Sequence, residues 1–261
     1  YSLEQAQTHY TANAGLLELR QEICNYIDRK YGVEYNPKNE VLVTVGGSEA
    51  IDLMIRCVVN PGDEVLIPEP SFVCYKPCAV MAGGTAIPIQ TKEEDNFRLL
   101  PEQLKEKITP KTKLLILPYP NNPTGGVMSR KDLEAIAEVL KGTDIMVLSD
   151  EIYGELRYGD EGHTTFSAID GMRERTIVVN GFSKTYAMTG WRLGYAVGPK
   201  EIIKPMTKVH QYCIMSSPTT SQYAAIEALK RCDDDVENMR KEYNYRRRYI
   251  VDGFRKMGLS C

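Results

Sequence analysis

Four apolar runs in this sequence each end on side chains able to do chemistry. Val41 to Val45 runs into Gly46-Gly47-Ser48-Glu49, and Lys113 to Leu117 into Pro118-Tyr119-Pro120-Asn121-Asn122-Pro123-Thr124-Gly125. Ile145 to Ser149 leads to Asp150-Glu151-Ile152-Tyr153, and Thr176 to Asn180 to Gly181-Phe182-Ser183-Lys184, with Arg192 a short way beyond. Two glycines ahead of a helical pattern free backbone N–H groups to face an anion, although a plain turn with Ser48 as N-cap reads equally well. The proline-rich loop presents the Asn122 amide in one orientation, and taken alone it is equally a turn. A carboxylate at the end of a buried strand, as at Asp150, is costly unless something pairs with it. A single lysine behind a strand is ordinarily a solvated surface residue. One small-molecule chemistry uses all these parts together. Pyridoxal phosphate (PLP) needs a lysine for its Schiff base, a carboxylate to keep its pyridine nitrogen protonated, and an anion site for its phosphate. Lys184, Asp150, and the Gly47-Ser48-Glu49 turn with Arg192 match those needs.

Such groups meet only if strands carry them to one edge. Further apolar runs lie at Glu64 to Pro68 and Leu193 to Val197, and helical patterns intervene, among them Ser48 to Val58, Ser129 to Leu140 and Glu201 to Tyr212. Strand and helix in alternation predict an α/β fold with a mostly parallel sheet, in which ligands collect beyond the carboxyl ends of the strands. Asp233 to Met257 is a long charged helical pattern stopped by Gly258. It reads as a connector leading out of a domain whose boundary falls near residue 235.

The 261 residues are 43% hydrophobic and 26% charged, the composition of a globular chain rather than a disordered one. A net charge of -3 with scattered basic residues argues against nucleic acid as a partner, and Arg246-Arg247-Arg248 reads as a solvated helix face. Seven cysteines with neither CxxC pairs nor zinc-ligand spacing to the three histidines predict reduced thiols and no metal site. No run is long enough to span a membrane and no signal-like segment opens the chain, so a cytoplasmic location and no membrane partner are expected. Neither GxGxxG nor a P-loop is present, which argues against dinucleotides and nucleoside triphosphates.

In chain order, GGSEAI, PYPNNPTG, SDEIY, GFSK and TGWRLGY resemble the class I/II aminotransferases of fold type I, and the resemblance runs over essentially the whole chain. Within that family it is similar to the bacterial aminotransferases that act on aspartate, on aromatic amino acids or on N-acetyl-diaminopimelate, sometimes called aminotransferase A. The resemblance implies a three-layer αβα large domain with a mostly parallel mixed sheet over residues 1–235. Residues 236–261 then form a connecting helix toward a small C-terminal domain that has no counterpart in this chain. It implies Lys184 as the residue that forms the Schiff base and moves the proton between the substrate Cα and the C4′ carbon of PLP. Asp150 pairs with the pyridinium, while Asn122 and Tyr153 hydrogen-bond the phenolic oxygen O3′. Ser48, the backbone of Gly47 and Glu49, Ser183 and Arg192 fall to the phosphate. Phe72 stacks on the ring, core packing being its other reading. Tyr10 corresponds to a tyrosine that reaches across a homodimer interface to the other subunit's phosphate.

The sequence departs from the family in two ways. Gly181 stands where the family often has a serine three residues before the lysine, leaving Ser183 as a substitute. The arginine that grips the substrate α-carboxylate and the N-terminal arm are also without counterparts. The activity implied is ping-pong transamination between an amino acid and a 2-oxo acid. Rival readings are a carbon-sulfur lyase or another reaction on the same scaffold, and a piece that binds cofactor without turnover.

Overall fold

The computed structural model describes residues 2–159 and 161–261. Each apolar run of the sequence becomes a strand: β1 (Val41–Thr44), β2 (Glu64–Glu69), β4 (Thr112–Leu117), β5 (Met146–Asp150), β6 (Thr176–Gly181) and β7 (Gly194–Val197). A further strand, β3 (Thr85–Gln90), was not expected. It carries Pro88 and is mostly exposed, and it pairs on one side only, with β2. An edge position tolerates a proline that cannot donate to a ladder, and it also removes the apolar signature of a buried strand.

The strands form one sheet in the order β1-β7-β6-β5-β4-β2-β3. All pairs from β3 to β6 are parallel, whereas β7 runs antiparallel to both β6 and β1. The sheet is therefore mixed and mostly parallel, as the sequence predicts.

Side-chain alternation along the strands divides the core into layers. Leu114 and Ile116 of β4, Ile177 and Val179 of β6 and Leu42 of β1 face one side. There they pack against α2 (Gly47–Val58), α3 (Tyr75–Met81) and α7 (Lys200–Cys213). Leu115, Leu117 and Val147 face the other side, against α4 (Pro101–Lys107) and α5 (Arg130–Leu140). On that same side Val41, Val43 and Val178 meet α1 (Leu17–Tyr31) and α8 (Thr219–Arg231). Strands covered on both faces must be apolar throughout, which is why they are legible as continuous runs. Each fully buried Leu or Ile contributes about 1.5–3 kcal/mol, so the two layers lock the strand ends in place.

Local signals fix the helix starts. Ser129 caps α5, its Oγ accepting from Asp132 N–H while Asp132 Oδ2 accepts from Ser129 N–H, a reciprocal box. A single helical turn, α6 (Phe182–Thr185), follows β6 directly. The last helix, α9 (Asp233–Lys256), opens on three aspartates that suit the positive end of its dipole, and Val236 is its one buried residue.

Candidate active site

The carboxyl ends of β4, β5 and β6 lie side by side, with Leu117 paired to Ser149 and Asp150 to Val179. Directly beyond them is a cavity of about 240 Å³. Its walls include Gly47, Ser48, Phe72, Asn122, Asp150, Tyr153, Ser183, Lys184 and Arg192, nine of the residues singled out from the sequence. Ile51, Ile152, Pro118 and Pro120 add apolar wall.

The Gly46-Gly47-Ser48 turn is built by close packing. Gly46 has φ 78°, a left-handed conformation that favours glycine. A Cβ there would lie 2.8 Å from Arg192 Nη2, so the guanidinium rests directly against the turn. A Cβ on Gly194 would lie 2.6 Å from both Gly46 C and Gly47 N, which explains how β7 approaches so closely. Arg192 itself adopts φ 51° and donates from Nη1 to Thr189 O at 3.0 Å. The first N–H groups of α2 have no partner within the helix, and the dipole favours negative charge at that end.

Asp150 is buried at the cavity wall. Burial pushes its carboxyl up to about 6, the nearby Glu151 charge adds to this, and hydrogen bonds from Tyr75 and Ile152 act against it. Tyr75 OH donates to Oδ2 at 2.7 Å and Ile152 N–H to Oδ1 at 3.2 Å. Neither partner is a cation, so the site retains a place for positive charge beside the carboxylate. Tyr75 was not singled out from the sequence. The only signal for it was the general requirement that a buried carboxylate find a donor, and choosing Tyr75 required knowing that α3, packed beside α2 and over β2 and β3, brings its first residue to the end of β5.

Tyr153 and Asn122 approach each other, with Asn122 Nδ2 at 3.5 Å from Tyr153 OH. Burial and the Asp150 charge raise the Tyr153 phenol above its ordinary value. Lys184 Nζ lies 5.8 Å from the Tyr153 ring centre. Asn122 is presented by a closed loop in which Asn121 N–H donates to Gly126 O, Gly125 N–H to Asn121 O, and Thr124 Oγ1 to Asn121 Oδ1. The segment is thus both a turn and a wall of the cavity. Phe72 lines the cavity, packs on the core and meets Tyr75 edge-on at 6.0 Å.

Behind this wall, Glu151 turns away from the cavity and anchors the segment. It accepts from Ser149 Oγ, Thr165 Oγ1 and Phe166 N–H, and pairs with His163 Nε2 at 2.8 Å. Two residues singled out from the sequence are not on the cavity wall. The Glu49 carboxylate is engaged with Val45 N–H and His210, and Tyr10 is 76% exposed. Among the described residues no group of His, Cys, Asp or Glu is arranged to hold a metal ion, and no helix is long and apolar enough to cross a membrane.

The profile of the family described as "Aminotransferase class I and II" matches residues 2–261. The chain belongs to that family. Class I and II aminotransferases similar to it include the aspartate aminotransferase of Pyrococcus abyssi, 44% identical over 260 residues, covering 99% of this chain and 67% of the relative. The aromatic-amino-acid aminotransferase 2 of Thermococcus litoralis is 41% identical, with the same coverage. Among solved structures, the aromatic aminotransferase from Pyrococcus horikoshii OT3 superposes with a TM-score of 0.96 at 45% identity, covering 98% of this chain and 69% of that one. The chain therefore spans about two thirds of the length of these aminotransferases.

Aminotransferases of this family use PLP, and the donor set here fits it: a buried carboxylate lacking a cation, a lysine in the same cavity, and a glycine turn backed by an arginine. The fit differs from the common family pattern at Gly181. A Cβ there would lie 2.8 Å from Gly194 Cα and 3.0 Å from Leu193 O, so a serine cannot be seated without displacing the start of β7. Ser183 lines the cavity instead.

Proposed function

We propose that this chain is the cofactor-binding part of an aminotransferase that moves the amino group of an amino acid to a 2-oxo acid in two half-reactions. The observation that carries the reading is the meeting of Lys184, Asp150 and Arg192 in one cavity beyond β5 and β6. PLP, when bound, supplies an electron-withdrawing ring that stabilises negative charge at the substrate Cα. Lys184 attaches the cofactor and, once displaced by the substrate amine, holds the proton removed from Cα and returns it at C4′. Asp150 holds the ring nitrogen in its protonated form. A cation beside the carboxylate favours its ionised state and offsets the burial that raises it. Asn122 and Tyr153 donate to O3′. Arg192, Ser48, Ser183 and the N–H groups at Gly47 and Glu49 take the phosphate, with Arg192 suited to two-pronged contact. Phe72 covers one face of the ring.

Residues 1–235 form the large domain in this reading, and α9 leads from it toward a second domain. The active unit is a homodimer in which the exposed Tyr10 serves the other subunit's phosphate. Relatives named for aspartate and for aromatic amino acids both match the chain at similar identity, so the amino donor lies between these classes.

The test is to add PLP and then aspartate, or an aromatic amino acid, to the chain and to Lys184→Ala. The expected result is conversion to the pyridoxamine form with one 2-oxo acid released per cofactor, in the unsubstituted chain only. Ammonia released without any 2-oxo acceptor would instead identify a lyase. Cofactor bound but unchanged would favour the reading as a binding piece without turnover, which the coverage of 67% of its relatives supports.

A further inference from the structure

Directly behind the anion-binding turn lies a carboxylate–imidazole pair that the mechanism leaves unused. Glu49 is the third residue of α2, and one of its oxygens accepts from the Val45 N–H ahead of the turn. Its other oxygen, Oε1, is 2.7 Å from His210 Nδ1, which lies 161 residues away in α7. His210 is fully buried, and its Nε2 has no hydrogen-bond partner among the described residues. Nδ1 is therefore the ring nitrogen that carries the hydrogen and donates to Glu49.

The arrangement resolves a conflict within the turn. Gly46 occupies the N-cap position and offers no side chain to satisfy the first N–H groups of α2. Glu49 reaches back to Val45 instead, which closes the turn in the manner of a capping box. A carboxylate at a helix start would, however, repel an incoming phosphate and compete with it for the same N–H groups. His210 removes that competition. It holds Glu49 on the α7 side, and Glu49 is absent from the cavity wall while its neighbours Gly47 and Ser48 line it.

We propose that Glu49 and His210 are positioning residues for the phosphate site. His210 draws the Glu49 carboxylate away from the cavity, and through Val45 the pair fixes the Gly46-Gly47-Ser48 turn in the shape that accepts a phosphate. The proposal rests on the PLP reading above and extends it to two side chains that touch no part of the cofactor.

Affinities for PLP and for pyridoxal, the same aldehyde without its phosphate, test the pair. In His210→Leu the preference for PLP over pyridoxal is expected to fall about tenfold, the scale of one hydrogen bond to a charged group, with pyridoxal binding unchanged. His210→Asn, which retains a donor near the Nδ1 position, and Glu49→Gln, which retains an acceptor for Val45 N–H, are expected to keep most of the preference. If His210→Leu does not fold, Glu49→Ala tests the turn-fixing half of the proposal: it removes the repelling carboxylate together with the Val45 contact, so a fall smaller than in His210→Leu is expected. A folded His210→Leu or Glu49→Ala that keeps the original preference, or that loses both ligands equally, overturns the proposal. An unsubstituted chain that binds PLP no better than pyridoxal overturns the cofactor reading beneath it, and the pair's role with it.

Discussion

Asp150 shows how much of this site's chemistry is set by burial at a single position. Its carboxyl is raised from 3.8 to about 6, with loss of solvent as the largest cause, although two donors already hold it. The folded value lies above the unfolded one. The carboxyl's contribution to stability is therefore full below about pH 4 and is lost as pH rises through about 6. A rise of that size corresponds to about 3 kcal/mol. Urea unfolding of the chain stripped of cofactor, followed from pH 4 to pH 7, is expected to show that loss, and Asp150→Asn is expected to flatten it. Parallel curves for the two proteins would contradict the assignment. Tyr75→Phe removes the donor that pulls the carboxyl down, so the upper edge of the window should move to higher pH. If PLP binds as proposed, its protonated ring nitrogen beside Asp150 would favour the carboxylate and reverse the effect.

At the scale of elements, the proposed phosphate end of the site is a junction of glycines at which β6, β7 and α2 nearly touch. Gly181→Ser would restore the residue that the family often carries, yet its Cβ meets the backbone of Gly194 and Leu193. The expected outcome is a loss of about 1–3 kcal/mol of stability, the usual cost of overpacking, with no gain in PLP affinity. A serine variant of unchanged melting temperature and tighter PLP binding would contradict this account of the junction. The strand ends were legible in the sequence because helices cover both faces of the inner strands, which forces continuous apolar runs and leaves the reactive residues immediately after them. β3 was not, since an edge strand with Pro88 and a single buried position, Ile89, looks like a loop. Tyr75 and His210 were invisible as functional residues for a different reason. Their partners, Asp150 and Glu49, are chosen by the packing of α3 and α7 on either side of α2 over one face of the sheet, 75 and 161 residues away in sequence.

Considered whole, the molecule gathers the proposed cofactor-binding residues at one edge of its sheet and leaves a long helix exposed. Along α9, Val236 is buried against the body, whereas Tyr243, Ile250, Phe254 and Met257 form a stripe at helical spacing that is open to solvent. In the proposed reading this stripe belongs to a connector between domains. The proposed division of labour follows. Lysine, carboxylate and anion turn all belong to this chain, and substrate selection depends on more of the protein than they provide. The most direct test is borohydride reduction of the chain after incubation with PLP, followed by peptide mapping by mass spectrometry. A single phosphopyridoxyl group on Lys184, lost in Lys184→Ala, is the result predicted. Labelling spread over surface lysines and unchanged by Lys184→Ala would contradict the claim that this fold forms a PLP site around that residue.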